Sequence, residues 1–367
     1  MGEVAKIIAG GDKKFDLIKP IGKYPVIANS VNTDGIVGFY DNEYTISAPA
    51  ITVTGRGDIG HAIARFTNFT PVVRLLALKT NHNVTFLTNA INIIRIFNES
   101  TGVPQLTKPQ LASYSVKVTN LDEESKIANI IKSIDKLLSL QQKKLEQLKL
   151  LKKAMLQQLF VSDKNTLVPN IRFNGFNSSW EQRKLGEVSK RVKGNDGRMN
   201  LPLLTISAKN GWMTQKKRFS SNIAGREKKN YTLLKQNQLS YNHGNSKAAV
   251  FGTVFELSNY QEALVPKVYH SFVLDSRYSS KFVEAYFHTK KLDRQLRQFI
   301  SSTARMDGLL NISYDDFMKL KLYLPNTAEQ IKISKLLIKL EGLLSLQQSK
   351  INQLLALKKY MLQKLFI

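Results

Sequence analysis

The chain contains one forty-residue block twice. Residues 121–160 read LDEESKIANIIKSIDKLLSLQQKKLEQLKLLKKAMLQQLF, and residues 327–366 read TAEQIKISKLLIKLEGLLSLQQSKINQLLALKKYMLQKLF. Aligned without gaps at an offset of 206, they are identical at 20 of 40 positions. Runs such as LLSLQQ and LKK recurring in one register mark a duplication, and an internal repeat constrains the fold more than any local propensity does.

Both copies have the period of a helical seam. Apolar residues fall at Ile127, Ile131, Ile134, Leu138, Leu145, Leu148, Met155 and Leu159, and again at Ile333, Leu337, Leu340, Leu344, Ile351, Leu354, Met361 and Leu365. Alternating steps of four and three describe a coiled-coil stripe. Neither block contains Pro, and Gly342 is the only glycine in either. Forty residues at 1.5 Å each make rods of about 60 Å. A lone rod would leave its stripe in water, so the expected arrangement pairs the two. A segment of about 160 residues joins them. A parallel pair would require that segment to return along the full rod, whereas an antiparallel pair needs only a globular domain at each end. Polar residues interrupt the stripe at matching places, Gln141 with Gln347 and Lys152 with Lys358. Such residues set register at some cost in stability, and Gln141 is expected close to Gln347.

The expected class is α+β, with two globular domains separated by two long antiparallel helices in a coiled coil and related by a pseudo-twofold repeat. The boundaries read as domain 1 over 1–120, helix over 121–160, connector over 161–180, domain 2 over 181–326 and helix over 327–367. A fainter echo supports this division: the chain opens MGEVAKI, and LGEVSKR occupies 185–191. Strand-like alternation precedes each helix, at Tyr114–Val118 and Lys319–Leu324, and Pro325 closes the second. Within each domain an apolar strand runs into a glycine-bearing loop, ITVTGRGDIG at 51–60 and QLSYNHGNSK at 238–247.

Charge narrows the partners. The chain carries 54 Lys and Arg against 28 Asp and Glu, a formal charge of +26, with no Cys. A chain this basic repels itself unless an anionic partner belongs to its working state. Nucleic acid comes first and an anionic membrane surface second. No run approaches the roughly 18 apolar residues of a membrane span, and the N-terminus has no apolar signal region. The expected location is the cytoplasm. Without Cys there are no disulfides or thiolate zinc sites.

Between Arg183 and Lys229 thirteen basic residues face Glu187, Asp196 and Glu227. Such a run attracts phosphates without reading sequence, whereas base edges are read by Arg, Lys, Asn, Gln and small hydroxyls. The DNA-binding residues expected in domain 2 are Ser207, Lys209, Asn210 and Trp212, then Lys216, Lys217 and Arg218, and Tyr241, Asn242, His243, Asn245, Ser246 and Lys247. Arg305, in SSTARMDG, joins them. In domain 1 they are Asn29, Ser30, Asn32, Arg56 and Asn68. Each has a plain rival, because Asn, Gly and Ser also build tight turns, Trp212 can anchor its own core and Lys216–Arg218 can be a solvated face.

SSWEQRKLGEVSKR at 178–191, the EQ-K-I, LLSLQQ, LKK and MLQ-LF pattern, and the segments YNHGNSKAAVFGTVF and EALVPKVYHSFVL resemble specificity subunits of type I restriction-modification enzymes. The resemblance covers essentially the whole chain. It implies two target-recognition domains, each reading half of a bipartite, asymmetric site in double-stranded DNA, with the helices as a ruler between them. It also implies docking of two methylation subunits, and of restriction subunits in the full complex. The chain itself takes no cofactor; S-adenosylmethionine would sit on the methylation subunits. One departure stands out: SSWEQRK precedes LGEV in domain 2, while domain 1 starts directly at MGEV. The expectation is a first domain lacking its usual opening piece.

Three rivals remain. An enzyme would need chemistry the chain does not spell. There is no GxxxxGK[ST] phosphate loop, no Asn/Asp-Pro-Pro-Tyr/Phe motif, and no HExxH among histidines 61, 82, 243, 270 and 288. Asp315 and Asp316 read as a cap. A non-specific architectural protein would share the charge and the rods but has no need of two unlike domains. An interaction module would use its Leu-rich helices for another partner, and copurification with a methylation subunit separates it from the first reading.

Overall fold

A computed structural model describes residues 1–12, 15–30, 32–94, 96, 105–161, 166–219, 225–244, 246–300 and 310–366. They form two compact units, Met1–Lys143 with Gln348–Ile367, and Lys144–Gln347.

In the first unit, β1 (Lys6–Ala9), β2 (Tyr24–Ile27), β3 (Ile36–Tyr40), β4 (Ala50–Thr54), β5 (Ala62–Arg65), β6 (Thr70–Pro71) and β7 (Leu75–Lys79) build two sheets. One is antiparallel in the order β1-β7-β4-β5; the other runs β3-β2-β6 with β2 and β6 parallel. All five residues of β4 (AITVT) are buried, as a central strand covered on both faces should be. Ile51, Val53, Leu76 and Leu78 pack with Leu87 and Ile91 of α1 (Val84–Ile93). The short α2 (Lys108–Ser113), closed by a Thr107–Gln110 capping box, leads to α3 (Leu121–Gln158).

The second unit holds β8 (Glu181–Lys184), β9 (Ser189–Val192), β10 (Leu204–Ser207), β11 (Gly211–Thr214), α4 (Gln215–Phe219), β12 (Thr232–Lys235), β13 (Leu239–Asn242), β14 (Thr253–Glu256), β15 (Glu262–Val265) and β16 (His270–Leu274). Then come α5 (Ser280–His288), α6 (Asp293–Phe299), α7 (Tyr314–Met318), β17 (Lys321–Leu324) and α8 (Thr327–Leu365). Its main sheet has the order β14-β13-β16-β9, with the pairs β10-β11, β12-β15 and β17-β8 beside it.

The helical expectation holds: both blocks are helices of nearly their full length. All sixteen stripe residues are buried or half-buried. The helices also start alike. Asn120 Oδ1 accepts the Glu123 amide and Asn326 Oδ1 accepts the Glu329 amide, at 2.9 and 3.0 Å, satisfying amides a helix start leaves unpaired. Each first turn then grips a domain helix. Glu124 Oε2 accepts the amide of Asn83, which caps α1, and Gln330 Oε1 accepts the amide of Ser279, which caps α5, both at 2.9 Å. Glu124 and Gln330 are the same repeat position.

Within the first unit, Ile127, Ala128 and Ile131 of α3 pack with Met361, Leu362, Leu365 and Phe366, and the Lys358 ammonium meets Asp135 at 2.5 Å. Within the second, Leu159 and Phe160, next to α3, share a core with Ile333, Leu337 and Leu340 of α8, and Lys152 meets Glu341 at 2.7 Å. In both units rising numbers on α3 face falling numbers on α8. Gln347 is buried and Gln141 half-buried, on helix segments assigned to different units.

Two expectations need correction. Lys321–Leu324 is a strand, laddered with Glu181–Lys184. Tyr114–Val118, read the same way, is not: a strand requires a partner ladder, and among the described residues no strand pairs with it. The carbonyls of Ala112 and Tyr114 instead receive the Met1 amino group. The supposed connector 161–180 is also more than a link. Val161 and Trp180 lie in the second unit's main core, Trp180 1% exposed and set edge-on to Phe160 and Phe282. Arg172 makes a two-pronged bond to fully buried Glu329, at 2.7 and 2.8 Å.

Candidate nucleic-acid interface

In the second unit the tight β10–β11 turn carries Ser207, Lys209, Asn210 and Trp212. Ser207 Oγ accepts the Asn210 amide at 3.3 Å and so shapes the turn. Lys209 and Asn210 are exposed, while Trp212 is half-buried with its indole N–H on the Glu256 carbonyl at 3.0 Å. The loop between β13 and β14 carries the next group. At its base, buried Tyr241 donates its hydroxyl to the Phe251 carbonyl at 2.7 Å, and burial pushes that phenol well above its ordinary value. Asn242 spans from the Ile206 carbonyl (3.1 Å) to the Gly244 amide (3.0 Å). Buried His243 has its two ring nitrogens 2.7 and 2.8 Å from the carbonyls of Leu310 and Val268. Gly252 closes the loop at φ +77°, and a Cβ there would lie 2.6 Å from the Asn242 carbonyl. Only a glycine meets both conditions. At the tip, Ser246 and Lys247 are exposed, with Ser246 and Ala249 exchanging backbone bonds.

These two loops were read separately along the chain, but they meet in space. Lys209, Asn210 and Trp212 line a cavity of about 510 Å³ together with Ala248–Thr253. Lys216 and Lys217 project from α4 and are exposed, outside that lining. Arg218 turns its guanidinium back onto the Ile206 carbonyl. Asn245 and Arg305 lie outside the described residues.

The basic run is less available than its sum suggests. Arg183 pairs with Glu181, and Arg198 pairs with both Asp196 and Glu262, at 2.6–2.8 Å. The Arg198 guanidinium holds both of those carboxyls below their usual range. Arg191 stacks over the Tyr314 ring at 4.1 Å. The exposed cations at Lys209, Lys216, Lys217 and Lys247 remain suited to phosphate contact.

In the first unit Asn29 is a pin. Its Nδ2 donates to the Val73 carbonyl and its Oδ1 accepts the Gly55 amide, at 2.9 and 2.7 Å, which fixes the turn presenting exposed Arg56. Ser30, next to Asn29, is half-buried, and Asn32 opens a 3-10 turn to Gly35. Asn68 accepts the Ala48 amide at 2.8 Å and borders a cavity of about 600 Å³ with Phe66, His82 and Lys132. Sequence reading passed over Phe66 and Lys132. Phe66 is 63% exposed, and the Lys132 ammonium lies 6.0 Å from its ring centre. The available signal was a large aromatic just past the end of β5, where nothing in the alternation buries it.

Among the described residues no group of three or more His, Asp or Glu is placed to hold a metal ion, and no helix is long and apolar enough to cross a membrane.

Residues 1–150 match the type I restriction modification DNA specificity domain. Two putative type I specificity subunits of Mycoplasma pneumoniae are similar in sequence. S.MpnORF507P is 33% identical over 128 residues, 34% of this chain and 35% of that protein. S.MpnORF89P is 29% identical over 137 residues, 36% of this chain and 41% of that protein. The matched stretch thus spans well under half the length of these relatives. In fold, the crystal structure of a type I restriction-modification S subunit from M. genitalium superposes over 100% of this chain and 94% of its own, with a TM-score of 0.62 at 17% identity. Residues 1–150 thus carry a type I restriction modification DNA specificity domain, and the chain has the fold of a solved type I S subunit.

Proposed function

We propose that this chain reads a bipartite, asymmetric DNA site for a type I restriction-modification complex, using two target-recognition domains on an antiparallel pair of helices. The domains are 1–120 and 181–326, the helices 121–160 and 327–367, and the subunit works in the cytoplasm. One observation carries the reading. Lys152–Glu341 and Lys358–Asp135 are helix-to-helix ion pairs, one within each unit, and each residue has its repeat mate 206 positions away in the other pair. Their numbers have the same sum in both units, as a single antiparallel register requires. That supports a pseudo-twofold ruler carrying two unlike readers, and an asymmetric reader matches an asymmetric site.

The partners follow from what the helices leave uncovered. Leu137, Leu140 and Leu151, and their repeat mates Leu343, Leu346 and Leu357, are 40–54% exposed off the stripe. Apolar residues at equivalent places on both rods suit two copies of one partner, the methylation subunits, with restriction subunits joining in the full complex. A solved type I chain of similar fold, TM-score 0.50 at 13% identity, comes from work on assembly and conformational transition of such a system. In domain 2, phosphate contact falls to Lys216, Lys217 and Lys247 and base reading to the Ser207–Trp212 and Tyr241–Lys247 loops. In domain 1, base reading falls to the Arg56 turn and Asn68.

Mapping methylated adenines genome-wide in cells expressing this chain with methylation subunits tests the reading. A single split motif is expected. Methylation without a motif would instead indicate the architectural alternative.

A further inference from the structure

In each unit one more turn stands beside the loops assigned to DNA. The antiparallel sheet has the same strand order in both, β1-β7-β4-β5 in the first and β9-β16-β13-β14 in the second. Thr54, at the end of β4, pairs with Leu75, at the start of β7; Tyr241 of β13 pairs likewise with His270 of β16. Antiparallel pairing sets the end of one strand beside the start of the other. The turns entering β7 and β16 therefore lie next to the loops leaving β4 and β13. These turns are Val72–Leu75 and Pro266–Tyr269, each closed by a backbone bond of 3.0 Å. Hydrogen bonds fasten both. The Val73 carbonyl accepts Asn29 Nδ2 at 2.9 Å, and the same side chain holds the Gly55 amide. The Val268 carbonyl lies 2.8 Å from Nε2 of His243, at the base of the β13–β14 loop. Each turn presents one valine and one cation outward: Val73 is 45% exposed beside exposed Arg74, and Val268 is 44% exposed beside exposed Lys267. Arg74 Nη1 donates to the neutral amide oxygen of Gln105 at 3.3 Å, and Gln105 bridges Arg56 through its backbone. Arg74 also has φ +71°, a conformation that glycine adopts freely and arginine only at a cost. Outliers of this kind concentrate at functional sites.

Given the DNA-reading role proposed above, we propose that these turns are a further contact loop of each reader, with Val73 and Val268 resting on thymine methyls and Arg74 and Lys267 on phosphates. The C5-methyl of thymine is the apolar group that a base edge offers in the major groove. A cation next to it suits a phosphate oxygen, which positions without specifying. The bonds that hold the turns use the carbonyls of Val73 and Val268, so neither valine side chain is needed to keep its turn in place. Both valines stand at the apex of a turn, where a groove wall can reach them.

The test uses the full chain with two duplexes, one carrying the split motif found by methylation mapping and one unrelated. Arg74→Gly relieves the left-handed backbone, so its melting temperature should not fall. Its affinity should nevertheless drop alike for both duplexes, and the slope of log affinity against log salt should shrink by about 1. Next, each thymine of the motif is replaced in turn by deoxyuridine, which lacks the methyl. In each half-site one replacement should weaken the unaltered chain about fourfold. Val73→Ser should abolish that response in one half-site and Val268→Ser in the other. Unmoved isotherms in Arg74→Gly, or a lowered melting temperature, would overturn the proposal by making Arg74 a bystander or a structural residue. So would the lack of any uracil response in the unaltered chain, or a response that survives in either valine variant. A chain with no preference between the duplexes takes down the split-site reading itself, and this proposal with it.

Discussion

The Lys152 ammonium sits 2.7 Å from the Glu341 carboxylate, joining the two long helices at a point where the apolar stripe is interrupted. Lys358 and Asp135 make the same join in the other unit. The lysines are 26% exposed and the carboxylates about half exposed, so each pair is worth only about 0.2–1 kcal/mol. Their value is register, because a helix shifted by one heptad would set Lys152 opposite Ser334 or Gln348 and leave it without its carboxylate.

A charge swap measures that register. Lys152→Glu should lower stability by up to about 1 kcal/mol, and Lys152→Glu with Glu341→Lys should recover most of it in urea unfolding. Recovery in the double variant is specific to facing residues. If the double variant is as weak as the sum of the singles, the helices do not meet in this register.

Arg172→Ala should be far more damaging. Glu329 is fully buried and both its oxygens take Arg172 nitrogens, so deletion strands a buried carboxylate at a cost of about 3–5 kcal/mol. Thermal melting of the variant checks this, and a change below about 1 kcal/mol would mean that Arg172 is not what holds Glu329 in place.

Acid sensitivity follows from two histidines. Burial lowers His270 and His288 to about 4 from the usual 6.5. Between those values the unfolded chain binds protons that the folded chain refuses, so their stability contribution is present above 6.5 and lost as pH falls toward 4. Each is worth roughly 3 kcal/mol at most. Glu256 and Glu284 act in the opposite sense, because their raised values favour the folded state at low pH and that help fades as pH rises. His288→Gln isolates one part, since the amide can still donate to the Val254 carbonyl. The variant should lose less stability between pH 6.5 and 4.5 than the unaltered chain, and identical slopes would place the acid effect elsewhere.

What could be read from the sequence follows from range. The long helices were legible because a heptad spacing of apolar residues runs through forty residues, and the second copy repeats every such position from Ile127 to Leu159. The helix starts at Asn120 and Asn326 are equally local. The packing of Phe160 against Trp180 is not local, and nothing in the sequence announces that Val161 and Trp180 enter a core. Residue type misled differently at the reading surface. Asn29, Asn242 and Arg218 have the chemistry of base and phosphate contacts, yet all three bond to backbone groups of their own unit. The same donors that suit a base edge suit a turn, and only coordinates separate the two uses.

That separation sets the contrast for DNA binding. Lys216 is exposed on α4, outside the loops that border the cavity, so Lys216→Ala should remove one phosphate contact and nothing else. Affinity should fall by a similar factor for target and unrelated duplexes, and the slope of log affinity against log salt should drop by about 1. Asn242→Ala removes the strut between Ile206 and Gly244 that holds the two loops in place. Its effect should fall on the preference for target over unrelated DNA while the salt slope stays unchanged. Binding isotherms at three salt concentrations on both duplexes distinguish these patterns. If Lys216→Ala altered target preference, that lysine would belong with the base-reading loops, and the division of labour between α4 and those loops would be lost.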